Sequence, residues 1–144
     1  VGLPAKVDAL LSRVYGDYRQ FSRFFCVGVV ATLVDWVIFY LLAGYLGIFY
    51  MLSLALSYFA STVLNYFMNR RFTFGSTYKK VHVQLGSFLS VAIIGLALNE
   101  LIVYGLVQYL FAGSMVMASR VFATLVVFIW NFALNKRITF RIFR

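Results

Sequence analysis

Long, nearly unbroken apolar runs set the pattern of this chain. The first extends from about Phe24 to Leu46, interrupted only by Asp35, and a short uncharged link, Gly47 to Tyr50, leads to a second from about Met51 to Asn69. A basic connector, Arg70 to His82, precedes a third run from about Val83 to Phe111. After Ala112-Gly113-Ser114 a fourth extends from about Met115 to Asn135, and a basic tail, Lys136 to Arg144, follows. Each run approaches or exceeds the ~20 residues that cross a hydrocarbon core, and the third is long enough to tilt. The pattern predicts an all-α integral membrane protein with four transmembrane helices. Ahead of them, Val7, Leu10, Leu11 and Val14 fall on one helical face, with Pro4 where a first turn tolerates it. Residues 1–22 are therefore expected to form a short interfacial amphipathic helix before a transmembrane domain of residues 23–144. This segment is too polar and charged for a cleaved signal peptide, so nothing in it is expected to direct secretion.

The runs are related in pairs. The stretch Asn65-Tyr66-Phe67-Met68-Asn69-Arg70-Arg71-Phe72-Thr73-Phe74 returns 66 residues later as Asn131-Phe132-Ala133-Leu134-Asn135-Lys136-Arg137-Ile138-Thr139-Phe140. In both copies two Asn one helical turn apart close an apolar run, and two cations and Thr-Phe come after them. The odd-numbered spans align at an offset of 64, where Phe24, Val27, Gly28 and Asp35 meet Phe88, Val91, Ala92 and Asn99. The chain thus reads as a duplicated hairpin, repeat 1 about residues 23–80 and repeat 2 about 81–144. Two-span units repeat in parallel orientation, with the expected pseudo-two-fold axis along the membrane normal.

Composition agrees with the membrane reading. Hydrophobic residues make up 63% of the 144 and charged residues 12%, against roughly 45–50% apolar in a soluble domain. The net charge of +9 would suggest nucleic acid in a soluble protein. Here the cations flank apolar spans, which points to membrane lipids, their anionic headgroups and lipid phosphates, and away from nucleic acid. Lys6, Arg13, Arg19 and Arg23 precede the first span; Arg70, Arg71, Lys79 and Lys80 lie in the middle connector; Lys136, Arg137, Arg141 and Arg144 form the tail. The positive-inside rule places both termini and the middle connector in the cytoplasm. Tyr45, Phe49, Tyr50, Tyr109 and Phe111 would form the outer aromatic belt. The single cysteine, Cys26, reads as a small apolar thiol.

Three charges interrupt the spans: Asp35, Glu100 and Arg120. Each costs at least about 2.5 kcal/mol at mid-helix unless it has a partner or a wet cavity. At ~1.5 Å per residue, Glu100 stands roughly 24 Å from the start of its span and Arg120 roughly 22 Å from Asn135, so the two are level and are expected to pair across the second hairpin. Arg120 also lies near enough to the outer interface to snorkel. Asp35, about 18 Å deep by the same count, has no cation in its own hairpin. It is either protonated, bonded to Asn99 or matched with Arg120.

The second span carries a polar row, Ser53, Ser57, Ser61, Asn65 and Asn69, echoed in the fourth by Ser119, Ala123, Val127, Asn131 and Asn135. Small residues at this spacing form a close packing seam between helices. The Asn pairs invite a second reading, because a seam does not need an amide followed by two cations. Asn amides can donate to sugar hydroxyls or phosphate oxygens, Arg offers bidentate geometry to phosphate, and Lys supplies a point charge. An ordinary positive-inside anchor explains Arg70, Arg71, Lys136 and Arg137 without any ligand, and both readings stay open. There is no Ser-His-Asp order, metal-ligand cluster or phosphate-cradling glycine loop, so no enzyme, cofactor or metal is expected.

In these residues the chain resembles the GtrA family of small four-span membrane proteins. The resemblance rests on Phe24-Phe25-Cys26-Val27-Gly28 with Thr32 and Asp35, on Asn65-x3-Asn69-Arg70-Arg71-Phe72-Thr73-Phe74, on Asn99, and on Trp130-Asn131-Phe132-x2-Asn135-Lys136-Arg137-x-Thr139-Phe140. It implies a flippase that moves a polyprenyl-phosphate sugar across the bacterial cytoplasmic membrane beside a membrane glycosyltransferase. The setting would be cell-surface polysaccharide, O-antigen or teichoic-acid glycosylation. The implied headgroup contacts are Asp35, Asn65, Asn69, Arg70, Asn99, Asn131, Asn135 and Lys136. Arg71 and Arg137 join them as neighbouring cations, and Glu100 and Arg120 on the depth argument alone. Two other readings compete: an anchor or regulatory partner of the glycosyltransferase, and a small proton-coupled exporter. A parallel repeat does not supply alternating access by inverted halves, so a homodimer or a lipid groove would have to provide the path.

Overall fold

A computed structural model describes residues 3–110 and 116–142. Four helices follow in order: α1 Leu3–Phe39, α2 Tyr50–Met68, α3 Val81–Gly105 and α4 Val116–Leu134. Each passes without a break into a short wider turn of π-helix, respectively Tyr40–Tyr45, Asn69–Thr73, Leu106–Leu110 and Asn135–Thr139. All four helices are long and apolar enough to cross a membrane, with spans Lys6–Tyr45, Tyr50–Thr73, Val81–Leu110 and Val121–Thr139. The four-span all-α architecture expected from the apolar runs is therefore present.

The N-terminal segment is helical, and its helix continues past residue 22. It runs directly into the first span as one helix of 37 residues. Between Pro4 and Phe39 the sequence holds only Gly16 and Gly28 as weak formers and no proline, so nothing stops propagation once the helix has begun. At ~1.5 Å per residue this rod is about 55 Å long, well beyond the ~30 Å hydrocarbon core.

The chain divides into two compact units, Val1–Ser76 and Thr77–Arg144. In unit 1, α1 packs on α2; in unit 2, α3 packs on α4. The buried positions repeat from one unit to the other. Phe24, Val27 and Ala31 of α1 correspond to Phe88, Val91 and Gly95 of α3, and all six are buried. On the facing helix of unit 1 the buried row is Ser53, Ser57, Ser61, Asn69 and Thr73. In unit 2 it is Ser119, Ala123, Val127, Asn135 and Thr139.

The serine row is thus the packing seam. Its hydroxyls turn back on their own stretch of backbone: Ser53 donates to the carbonyls of Ile48 and Phe49, just ahead of α2, at 3.2 Å, Ser57 to Leu54 at 3.2 Å and Ser61 to Tyr58 at 3.0 Å. Thr62 does the same, donating to the Tyr58 carbonyl at 2.7 Å. Hydroxyls bonded this way meet no penalty in a dry interface, and their small size lets the helix axes approach.

Unit 2 reaches its closest approach at Gly95. A Cβ added there would stand 2.5 Å from Asn131 Oδ1 and 3.2 Å from its Cγ and Nδ2, so Asn131 occupies the space that an alanine side chain would take. Gly95→Ala is expected to cost about 1–3 kcal/mol by overpacking. Most of the loss should return in Gly95→Ala, Asn131→Ala. Gly86→Ala, with open space around its new methyl, should leave the melting temperature in nanodiscs unchanged. Equal losses at Gly86 and Gly95 would refute this account of the contact.

Candidate functional site

The two basic helix ends singled out by the repeat are built by the same set of bonds. At the end of α2 the chain widens from α to π at Asn69, and the Asn69 side chain fills the turn. Its Nδ2 donates to the Asn65 carbonyl at 3.0 Å and to Asn65 Oδ1 at 2.7 Å, while its Oδ1 accepts from Thr73 Oγ1 at 2.7 Å. The Phe74 amide then donates to the Asn69 carbonyl at 2.9 Å, and Gly75, at φ +57°, turns the chain away. The end of α4 repeats the core of this arrangement. Thr139 Oγ1 donates to Asn135 Oδ1 at 2.9 Å, and the Phe140 amide to the Asn135 carbonyl at 2.9 Å.

The closing Phe of each copy docks on the first helix of its own hairpin. Phe74 meets Phe24 edge-on with centroids 6.3 Å apart, and Phe140 meets Phe88 at 6.2 Å. Each end gains a further tie to that helix. Arg23 Nη1 donates to the Phe72 carbonyl at 3.2 Å in unit 1. In unit 2, Gln84 Nε2 donates to the Thr139 carbonyl at 3.2 Å, and the Ser87 and Thr139 hydroxyls share a 3.0 Å bond.

Each residue of the motif consequently has an assigned place. Asn69 and Asn135 are buried, and their amides serve to close the helix ends. Asn65 and Asn131 are half-buried one turn earlier, and Asn131 Oδ1 has no hydrogen-bond partner among the described residues. The first cation of each pair folds back on the aromatic residue four positions earlier: Arg70 Nη1 donates to the Tyr66 hydroxyl at 3.1 Å, and Lys136 Nζ lies 5.6 Å from the Phe132 ring centroid. The second cations, Arg71 and Arg137, are exposed. Each end therefore presents two adjacent positive charges, the first folded back on its own helix and the second exposed, with Arg71 lying 5.9 Å from the centroid of the Phe72 ring.

A family model for the GtrA/DPMS transmembrane domain matches residues 23–140. The chain belongs to this family. No curated protein matches it. In the GtrA/DPMS domain of this chain the matched region begins at Arg23 and ends at Phe140, and so takes in both hairpins and both basic ends.

The intramembrane charges are placed differently from the motif residues. Asp35 is half-buried on α1, with Oδ1 enclosed and without a hydrogen-bond partner among the described residues. Asn99, its counterpart on α3, is also half-buried and belongs to the other unit. Glu100 is exposed on α3. The Arg120 side chain, and with it the expected Glu100–Arg120 pair, lies outside the described residues.

Sequence reasoning passed over three positions that the geometry makes important, Gln84, Ser87 and Gly95, and took Arg23 only as a topological cation. The offset of 64 already aligned α1 with α3. Carried one turn toward the N-terminus, it would have matched Gln20 with Gln84 and drawn attention to this end. Thr73→Val and Thr139→Val should each cost about 1–3 kcal/mol, because each removes the donor to a buried Asn oxygen. Thermal unfolding in nanodiscs should fall for both, with faster hydrogen exchange at Phe74 or Phe140 respectively. Unchanged exchange at those amides would contradict the closing role.

Proposed function

We propose that the protein translocates a polyprenyl-phosphate-linked monosaccharide across the bacterial cytoplasmic membrane, for cell-surface polysaccharide or cell-wall glycosylation. The observation that carries the reading is the duplicated end, in which a half-buried cation and an exposed one stand side by side at the same helix terminus in each unit. On this reading both pairs face the cytoplasm, the side to which the positive-inside rule assigns the basic connector and the basic tail. Membership of the GtrA/DPMS family supports the same substrate class.

On this reading the lipid phosphate meets Arg70 and Arg71, or Lys136 and Arg137, through charge-assisted bonds. The sugar hydroxyls take the half-buried amides of Asn65 and Asn131. Asp35, Asn99, Glu100 and Arg120 supply polar groups deeper in the membrane while the polyprenyl tail stays in lipid. Asn69 and Asn135 act on the headgroup only by fixing the turns that carry the cations. The chain performs no covalent chemistry in this scheme, and a membrane glycosyltransferase supplies its substrate.

A second reading is an anchor or regulatory partner of that glycosyltransferase. It is favoured by the inward bonding of the serine hydroxyls and of the Asn69 and Asn135 amides, which commits them to helix packing.

Reconstitution into liposomes separates the two. With a polyprenyl-phosphate sugar in one leaflet and a headgroup probe on the other side, the wild type should transfer lipid well above protein-free background. Asp35→Asn, Asn65→Ala should lose most of that transfer, and Arg71→Gln with Arg137→Gln should weaken it while leaving the melting temperature near wild type. Transfer by the wild type at the background rate would sink the translocation reading and leave the anchor.

A further inference from the structure

The two units are built alike, but unit 1 carries an apolar groove at a place where unit 2 has different residues. In unit 1, an apolar groove of about 360 Å³ runs between α1 and the basic end of α2, lined by Arg23, Cys26, Val27, Val30, Met68 and Phe72 among others. The corresponding positions in unit 2, by the offsets of 64 and 66, include Ser87 for Arg23, Ser90 for Cys26 and Ile138 for Phe72. Ser87 is bonded to Thr139 at 3.0 Å and Ser90 donates to the Gly86 carbonyl at 2.9 Å. The guanidinium of unit 1 has thus been replaced in unit 2 by a hydroxyl turned inward.

We propose that this groove is a binding site for the phosphate-proximal part of a single isoprenyl chain, with the lipid phosphate held at its mouth by Arg23 and Arg71. The inference rests on the translocation reading and deepens it by locating the lipid carrier. One cation lines the groove and a second lies against one of its lining residues. Arg23 is fixed by its 3.2 Å bond to the Phe72 carbonyl, a contact that uses one of the five N–H donors of a guanidinium and leaves the others for a phosphate. Arg71 stands with its guanidinium carbon 5.9 Å from the centroid of the Phe72 ring, the same ring that lines the groove.

The dimensions select the occupant. A volume of about 360 Å³ is at the low end of the roughly 300–1,000 Å³ of small-molecule pockets, which suits one chain. A glycerophospholipid would bring two chains to the same mouth. The lining offers Met68 and the Cys26 sulfur, soft groups that adapt to the methyl branches of an isoprenoid. Among the described residues only unit 1 sets a guanidinium at this position, Arg23 against Ser87 in unit 2, so the phosphate contact is particular to unit 1.

Cys26 is the only cysteine in the sequence and is exposed within this groove, so its alkylation reports occupancy. The full chain in nanodiscs is treated with N-ethylmaleimide in the presence of a polyisoprenyl phosphate or, at the same mole fraction, phosphatidylglycerol. The polyisoprenyl phosphate should slow alkylation and phosphatidylglycerol should not. Arg23→Gln should weaken the protection roughly tenfold or more, the effect of losing one charge-assisted bond. Should that variant fail to fold, Val30→Trp, which fills the groove from its lipid side, should abolish the lipid-dependent difference. Equal protection by both lipids, or none by either, would overturn the proposal. Protection of Cys26 without lipid transfer in liposomes would keep this site and discard translocation. Transfer with Cys26 unprotected would do the reverse.

Discussion

Inside a bilayer a hydroxyl or amide has no water to fall back on, so a polar group left without a partner in the protein is costly. Each hairpin meets this constraint by one device, a buried Asn whose side chain bonds to a Thr four residues later within a widened helical turn. The Asn69–Thr73 and Asn135–Thr139 bonds, at 2.7 and 2.9 Å, fix where each even-numbered helix ends. From them follow the edge-on aromatic contacts with Phe24 and Phe88, the position of both cation pairs, and the start of the small-residue seam. Without this bond, the signature would place two positive charges at a fraying end.

Much of this was legible in the sequence. Spans follow from apolar runs longer than a bilayer is thick, and the duplication from Asn-x3-Asn followed by cations and Thr-Phe. The serine row declared itself by its four-residue spacing. What the sequence did not reveal was which of its polar groups would face inward. Asn65 and Asn69 look equivalent on paper, and only the π turn separates a half-buried amide from one that is fully enclosed. The continuity of α1 was equally hidden, because amphipathic spacing at Val7 to Val14 describes a helix lying on a surface as well as one that runs on into a span. Arg23 was counted with the topological cations, and its bond to a carbonyl 49 residues away had no local sign.

The comparison of the units also separates what the fold requires from what it permits. Positions buried in both copies, such as Phe24 and Phe88 or Thr73 and Thr139, answer to packing and polar satisfaction. Positions that differ between copies at the same geometric place are free of that demand. Arg23 against Ser87 is the clearest case, since both reach the π turn of their own hairpin yet only one brings a charge.

The odd-numbered helices repeat at 64 residues and the even-numbered at 66, so the second hairpin is longer by two residues between Asn99 and Ser119 than the first between Asp35 and Ser53. An insertion of two residues within either helix would rotate everything beyond it by about 200° and turn the seam outward. Placed at the hairpin bend, the same insertion leaves both faces in register, because each helix is indexed from its basic end. The fold therefore has one elastic coordinate, the bend, and one fixed origin, the paired Asn. By this geometry a change in length between the seams leaves both buried faces in place, and one near the paired Asn does not.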